Sequence, residues 1–599
     1  MQKGAADSAG IASRPSAGSR SWAFVFWIAV VVWTIAMLVS LHVRFLDRFV
    51  VGTWHDYLGN DFFSTPRAFR NLMSESNIYL TELDDYGPRY TSMFFFHPAV
   101  AVVIGSWTSL LSPWTAYGAF VAVSLGLLAV SAGVLARQFD SRTLQAFTFF
   151  ALFCSLPTYL MLWNAQMHVF VVVAVSLILA AIVGIKRDEQ VSRRSLRWLQ
   201  AGLLIGLLTK PVVLLTLPVL FATRETRRAL VVPVAVYTAV SLLFLFGPTL
   251  NSGGYNGIHW LNLFNGAAAA SPLYSLVYPR ELDYSTCPEL YCLPMLLQRL
   301  TGAAPQQWLM KVPVFVVLAA SALPLLLTSL RRRIDVLLVT VLLSLLTHFL
   351  CFQIVWEYHY TTLLPALPVL WWAGEREEQP GRRLWLRIAF FALLTIFLPT
   401  PYFLDFKEHL RLTTAGMLLR VVPVVVSFVC LLSYVCGQAW TALAERSIGL
   451  PRSELASLLG NGGVLGVCNA ALLAGVMFSV PERLLKPLVA WTDSDWQLQC
   501  EDILSRPRPG LSATQIADLH FRLARAYNAS QPKLATEHFT TALGFVPNEP
   551  ELLCEYGDRI LLCEHFELAA TVFQRVLELE PGHPYANMRV KQLRAALKN

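Results

Sequence analysis

The chain has 599 residues, of which 55% are hydrophobic and only 14% charged, with a formal net charge of +8. Soluble proteins carry about 25% charged residues, so this deficit, with a mean hydropathy of +0.52, excludes a soluble enzyme and points to a polytopic membrane protein. The modest positive balance suits an anionic lipid surface and gives no reason to invoke nucleic acid as a partner.

Residues 1–22 are Ser/Gly/Ala-rich with Lys3, Arg14 and Arg20 against Asp7. They read as a disordered, weakly basic, cytoplasmic tail. Apolar windows of roughly 20 residues follow, each long enough to cross about 30 Å of hydrocarbon. They fall at 23–43, 94–112, 115–136, 144–162, 165–185, 198–222, 229–249, 311–330, 334–353, 360–374, 384–404, 415–437 and 460–480. The first is longer than a signal-peptide core of about 7–15 residues and precedes no cleavage site, so it reads as a retained helix. The expected fold is all-α, with about 12–13 transmembrane helices in residues 23–480.

Two polar interruptions, 44–93 and 250–310, read as outer loops. The reason is that "RETRR" (224–228) and "RRR" (331–333) read as cytoplasmic. The basic run "KRDEQVSRRSLR" (186–197) clashes with simple alternation. A break within "LLIGLLTKPVVLLTLP" (203–218) removes the clash. Gly206, Lys210 and Pro211 interrupt that run, and such breaks line cavities. Of the ten cysteines, Cys154, Cys351 and Cys430 read as small hydrophobes. Cys287 and Cys292 share the polar loop, and a disulfide between them is feasible in an oxidising compartment.

A linker, 481–513, leads to residues 514–599, whose charge and periodicity are those of an ordinary helical domain. At a spacing of 34, Ala535 recurs as Ala569, Phe539 as Phe573, Leu543 as Leu577 and Pro547 as Pro581. Gly557 stands where the first unit has Leu523. This pattern resembles tetratricopeptide repeats, which implies binding of a protein partner.

The candidate chemistry clusters in the membrane part. Asp61, in "LGNDFFSTPRAFR", precedes an amphipathic stretch in which Phe62, Phe69 and Met73 share a face. It reads either as a capping aspartate of an interfacial helix or as a base held at the membrane surface. Further on, "LDDYGPRYTSMFFFHPAV" brings Asp84, Asp85, Arg89 and His97 to the start of the next apolar run. The acids, with Glu82, read as a solvated turn or a weak metal site. Arg89 suits a phosphate or a carboxylate. Asn164, Gln166 and His168 in "WNAQMH" are a plain loop or a cavity lining that hydrogen-bonds sugar hydroxyls. Lys210 lies too deep in its apolar run for easy snorkelling, so it implies a partner, and a phosphate is a natural one. Glu357, Tyr358 and His359 stand at the mouth of a later helix.

Together these stretches resemble the C-type glycosyltransferase superfamily. They are most similar to the bacterial polyprenyl-phosphate-mannose-dependent, alpha-1,2-mannosyltransferase-like branch. The resemblance rests on five motifs in order across about 60–370. They are Asp61-Phe62 with "SESNIY" closing on Tyr79, "FFHPAV", "NAQMH", "GLLTKP" and "EYHYTTLLPALP". The chain departs from the pattern where "STPRAF" replaces a tyrosine pair, where one proline, Pro98, replaces two, and where Ala165 replaces a glycine. The resemblance implies an inverting transferase in a bacterial inner membrane with its site facing outward. Its donor would be a polyprenyl-phosphate sugar, its acceptor a lipid, glycan or protein hydroxyl. Asp61 would be the general base, and Lys210, His359 and Arg89 would hold the donor phosphate. His97, Asn164, Gln166, His168, Glu357 and Tyr358 would line the substrate site. No cofactor is implied, with a metal left open by the acidic residues. The alternatives are a non-catalytic scaffold working through the repeats, an oligosaccharide ligase and a lipid-linked sugar transporter.

Overall fold

A computed structural model describes residues 17–43, 46, 58–73, 78, 86–87, 94, 96–188, 191–222, 224–246, 292–302, 307–327, 330, 333–351, 355, 357–398, 414–444, 500–501, 504–505, 513–528, 531–546, 548–563 and 565–596. Among these there is no strand. The chain divides into two compact units, Met1–Leu485 and Lys486–Asn599. The expected segment 460–480, most of both outer loops and most of the linker lie outside the described residues.

In the first unit, helix α1 spans Ala17–Val43, so it begins before the apolar run does. Next come α2 (Asn60–Met73) and α3 (Pro98–Thr108), the latter with a π-helical turn at Ala101–Gly105. Helices α4 (Pro113–Ala136), α5 (Arg142–Phe153), α6 (Leu156–Trp163), α7 (His168–Asp188) and α8 (Arg193–Thr209) follow. A 3₁₀ turn at Pro211–Leu215 precedes α9 (Thr216–Ala222) and α10 (Arg224–Phe246). Then come α11 (Leu293–Thr301), α12 (Gln307–Leu326) and α13 (Ile334–Cys351). A second 3₁₀ segment, Glu357–Leu363, leads into α14 (Ala366–Arg376) and α15 (Pro380–Leu393). A third, Leu394–Phe397, is followed by α16 (Thr414–Ala444).

Six described helices are long and apolar enough to cross a membrane, and α5 with α6 adds a seventh if that pair, bent by 46°, is one span. Their environments differ as their sequences require. Helix α1 leaves Phe24, Val31 and Val32 exposed, as a lipid-facing helix does. Helices α7 and α13 are apolar all round and enclosed by protein along most of their length. Several expected crossings are shorter. Helix α3 has its π turn, and α8 stops at Lys210, where Pro211 removes a donor and the chain turns to set Val213 on Gly206. Non-helical backbone at this depth is tolerated because protein surrounds it.

Helix α2 departs most from expectation. Its amphipathic pattern predicts a helix lying in the interface. In the fold Phe62, Phe63, Thr65, Arg67 and Ala68 are all fully buried, Asn60, Asp61 and Phe69 are half-buried, and Arg70 and Met73 are exposed. Aromatic contacts replace lipid: Phe62 meets Phe120 and Phe63 meets Trp114.

The two ends of this unit differ in chemistry. At one end Lys186 pairs with Asp335, Arg376 with Asp140, and Arg333 and Arg382 hydrogen-bond Gln438 and Thr441 of α16. At the other ends of the same helices lie His168 on α7, His348 on α13 and Arg420 on α16. From Lys186 to His168 is 18 residues of helix, about 27 Å, close to a hydrocarbon thickness.

The second unit has α17 (Ala513–Tyr527), α18 (Pro532–Phe545), α19 (Pro550–Leu562), α20 (Phe566–Leu579) and α21 (Pro584–Ala596). The 34-residue pattern is its core: Ala535, Phe539, Ala569 and Phe573 are fully buried. Gly557 exists for Phe573, since a Cβ there would stand 2.8 Å from the ring. Asn528 joins the two helix pairs by bonding the Cys563 carbonyl and His565 Nε2.

Asp558 in α19 is buried and accepts from the Tyr585 hydroxyl at 2.6 Å, while Arg589 Nε stands 2.9 Å from its other oxygen. That Nε donates to Tyr585, so the guanidinium supplies charge more than a hydrogen bond. Burial pushes the Asp558 carboxyl up to about 6 against the pull of both partners. The folded state therefore holds the proton more tightly than the unfolded one. Its contribution is greatest below the ordinary value of 3.8 and is lost as pH rises through about 6. Asp558→Asn removes this pH dependence. The expected outcome is that α19 and α21 amide protection falls between pH 4 and 6 in the wild type, by up to about 3 kcal/mol, and does not in the variant, as read by hydrogen exchange on the intact chain.

Candidate active site

The site forms where α2, the α6–α7 turn, the α8 break and the 357–363 segment meet. Helix α6 ends in a Schellman motif. The Gln166 amide donates to Met161 O at 2.9 Å and the Ala165 amide to Leu162 O at 3.0 Å. That motif puts its turning residue in the left-handed region, and Ala165 has φ +44°. This is the position where the resembled pattern has glycine, and alanine there carries strain of about 1 kcal/mol. The turn sends Gln166 and His168 inward. It also leaves the Trp163 carbonyl free to accept from the Gly59 amide at 3.0 Å and from the Tyr117 hydroxyl at 3.2 Å. Gly59, at φ +77°, starts α2 one residue before Asn60. Asp61 is thus hung from the same carbonyl that ends α6.

Lys210 stands at the break as the last residue of α8's run, extended at φ −137°. Its Nζ meets His359 Nε2 at 2.8 Å. Two cations do not approach so closely, so the ammonium donates to a neutral imidazole. Asp61 lies within electrostatic reach of Lys210 and of Tyr358, and Tyr358 is hydrogen-bonded to Gln166. The His168 ring packs 5.0 Å from His359, and its Nε2 bonds Thr362 Oγ1 at 2.6 Å. Asp61, Lys210, Tyr358 and Asn164 are half-buried, whereas Gln166, His168 and His359 are buried behind them. The arrangement offers a carboxylate and a cation to one partly open space, backed by histidines.

Six of the ten expected residues come together here: Asp61, Gln166, His168, Lys210, Tyr358 and His359. Asn164 caps α6 beside them. His97 goes elsewhere, where it caps α3 by accepting from the Ala99 amide and meets Ser241 at 3.2 Å between Tyr237 and Phe244. Glu357 turns to Arg420 on α16, at 2.9 Å. Arg89, together with Tyr79, Glu82, Asp84 and Asp85, lies outside the described residues, as does Cys287; Cys292 is buried. Among the described residues no three His, Cys, Asp or Glu side chains are arranged to hold a metal ion. Sequence reasoning missed two residues. His348 packs 5.6 Å from the His359 ring. Its only signal was a histidine at the end of an apolar helix. Arg420 was a lone arginine near the start of another.

Residues 95–352 match glycosyltransferase family 87. That segment contains Asn164, Gln166, His168, Lys210 and His348, and leaves Asp61 and the 357–363 turn outside it. No curated protein and no solved structure matches significantly. The match supports a glycosyltransferase, and the apolar helices make the chain an integral membrane protein.

Ala165→Gly tests the turn. With the strain relieved, thermal unfolding in detergent shifts upward by the equivalent of about 1 kcal/mol. No shift, or a downward one, means that the left-handed turn is not where the chain holds this strain.

Proposed function

We propose that this protein transfers a sugar, mannose or another hexose, from a polyprenyl-phosphate carrier to an acceptor hydroxyl on a lipid, glycan or protein. The observation that carries the reading is the contact of Lys210 with His359 inside the electrostatic reach of Asp61. Lys210 places a positive charge where a helix breaks, which suits the phosphate that leaves with the carrier. His359 orients that ammonium. Arg89 is proposed, on the resemblance alone, as a further phosphate partner.

In the reaction, the acceptor oxygen bonds to the anomeric carbon as its proton passes to Asp61. The bond from that carbon to the phosphate oxygen breaks, and its electron pair leaves on the phosphate, facing Lys210. One displacement with one base inverts the anomeric centre. Tyr358 and Asn164 line the space and present hydroxyl and amide groups to the sugar, with Gln166 and His168 behind them.

The basic end of the first unit supports an outward-facing site, since positive charge favours the cytoplasmic side and the site lies at the opposite end of α7, α13 and α16. The helix pairs of the second unit, with their buried 34-residue pattern, support tetratricopeptide-like docking of a protein partner.

The test is transfer from radiolabelled polyprenyl-phosphate-mannose, and then from other polyprenyl-phosphate sugars, to a membrane lipid extract. Purified wild type runs beside Asp61→Asn and Lys210→Met. Wild type transfers; Asp61→Asn loses about 100-fold or more, and Lys210→Met about 100-fold. Undiminished transfer by Asp61→Asn places the base elsewhere. Absence of transfer from every donor removes the reading.

A further inference from the structure

Arg420 is fully buried, as few cations are among the described residues, and nothing in the proposed chemistry uses it. Its guanidinium is spent on three acceptors. Nε donates to Glu357 Oε1 at 2.9 Å, Nη1 to the Thr395 carbonyl and Nη2 to the Leu398 carbonyl, both at 2.7 Å. Those two carbonyls belong to the 3₁₀ turn that ends α15 and to the residue just after it, and the Thr395 carbonyl also accepts from the Leu398 amide at 3.0 Å. Glu357 has no other partner among the described residues: its Oε2 is buried and accepts nothing. The carboxylate is therefore held in place by Arg420 and not by the substrate-side groups.

The geometry of the 357–363 segment says what this achieves. In a 3₁₀ turn, residues three apart lie on one face. Glu357 and Tyr360 thus share the face toward Arg420, and the electrostatic coupling of Tyr360 to both Glu357 and Arg420 agrees. Tyr358 and His359 occupy the remaining faces, toward Gln166, His168 and Lys210. One end of the segment is pinned, and the next two residues are aimed.

We infer that Arg420 and Glu357 form a positioning pair that locks the 357–363 turn so that His359 holds the Lys210 ammonium in line for the donor phosphate. The inference rests on the reading of Lys210 as the phosphate site. A buried ion pair with carbonyl partners is costly to break from one side, because the other charge is left uncompensated. An aimed residue displaced by about 1 Å costs far more in activity than in affinity for the fold.

The test uses the full chain in detergent, with Arg420→Met and Glu357→Gln made in the wild-type and His359→Ala backgrounds. Hydrogen exchange without ligand comes first. Arg420→Met raises exchange in 357–363 and 394–398 and leaves α7 and α13 unchanged. Affinity for polyprenyl phosphate comes second. Arg420→Met weakens it about tenfold in the wild-type background and adds nothing where His359 is already absent. Glu357→Gln alone, which keeps an acceptor for Nε, retains most of the wild-type affinity. Unchanged exchange at 357–363 overturns the inference, as does an equal loss in both backgrounds, which marks a purely structural pair. If the wild type does not bind polyprenyl phosphate, the substrate reading falls, and the exchange arm still decides whether the pair positions the turn.

Discussion

An ammonium group deep in an apolar chain needs a partner, and much of the first unit is arranged around supplying one to Lys210. The helix that carries it stops there, because Pro211 cannot continue the hydrogen-bond ladder. The chain folds back onto Gly206, the residue whose missing side chain makes room for Val213. What meets the ammonium is a neutral imidazole at 2.8 Å, with a carboxylate in reach. A histidine acceptor satisfies a hydrogen bond without cancelling the charge. The positive charge is thereby kept available for an anion, which a carboxylate in direct contact would have consumed.

Three other elements converge on that point by backbone chemistry more than by side-chain contact. The Trp163 carbonyl, exposed by a left-handed turn at Ala165, ties the start of α2 to the α6–α7 corner. Asp61 and Gln166 are placed by the same joint, so the expected base and an expected sugar ligand move together. Arg420 plays the matching part on the opposite side, tying the 357–363 turn to the end of α15. The site is assembled from helix ends, where unpaired amides and carbonyls are available for such ties.

The sequence made some of this legible. A Lys-Pro pair in an apolar run names its own break, and a polar tripeptide between two apolar helices names a corner. It also made the repeat core legible, because Ala and Phe recurring at a spacing of 34 mark the positions that each helix pair buries. Other features were hidden. Helix α2 has the amphipathic pattern of an interfacial helix, yet its surroundings are Phe120 and Trp114 from a helix that periodicity cannot place beside it. Glu357 looked like a ligand because its distant partner, Arg420, is 63 residues away. His97 looked equally available, and its ring was taken by a local amide and by Ser241. In each case the pattern was right about polarity and silent about which neighbour absorbs it.

The most direct measurement is a cryo-electron microscopy map of the protein with polyprenyl phosphate bound. Phosphate density is expected against Lys210 Nζ and the His359 ring, with Asp61 across the space where the anomeric carbon would stand. Phosphate density seated away from Lys210, with the Lys210–His359 contact intact and unapproached, would contradict that expectation.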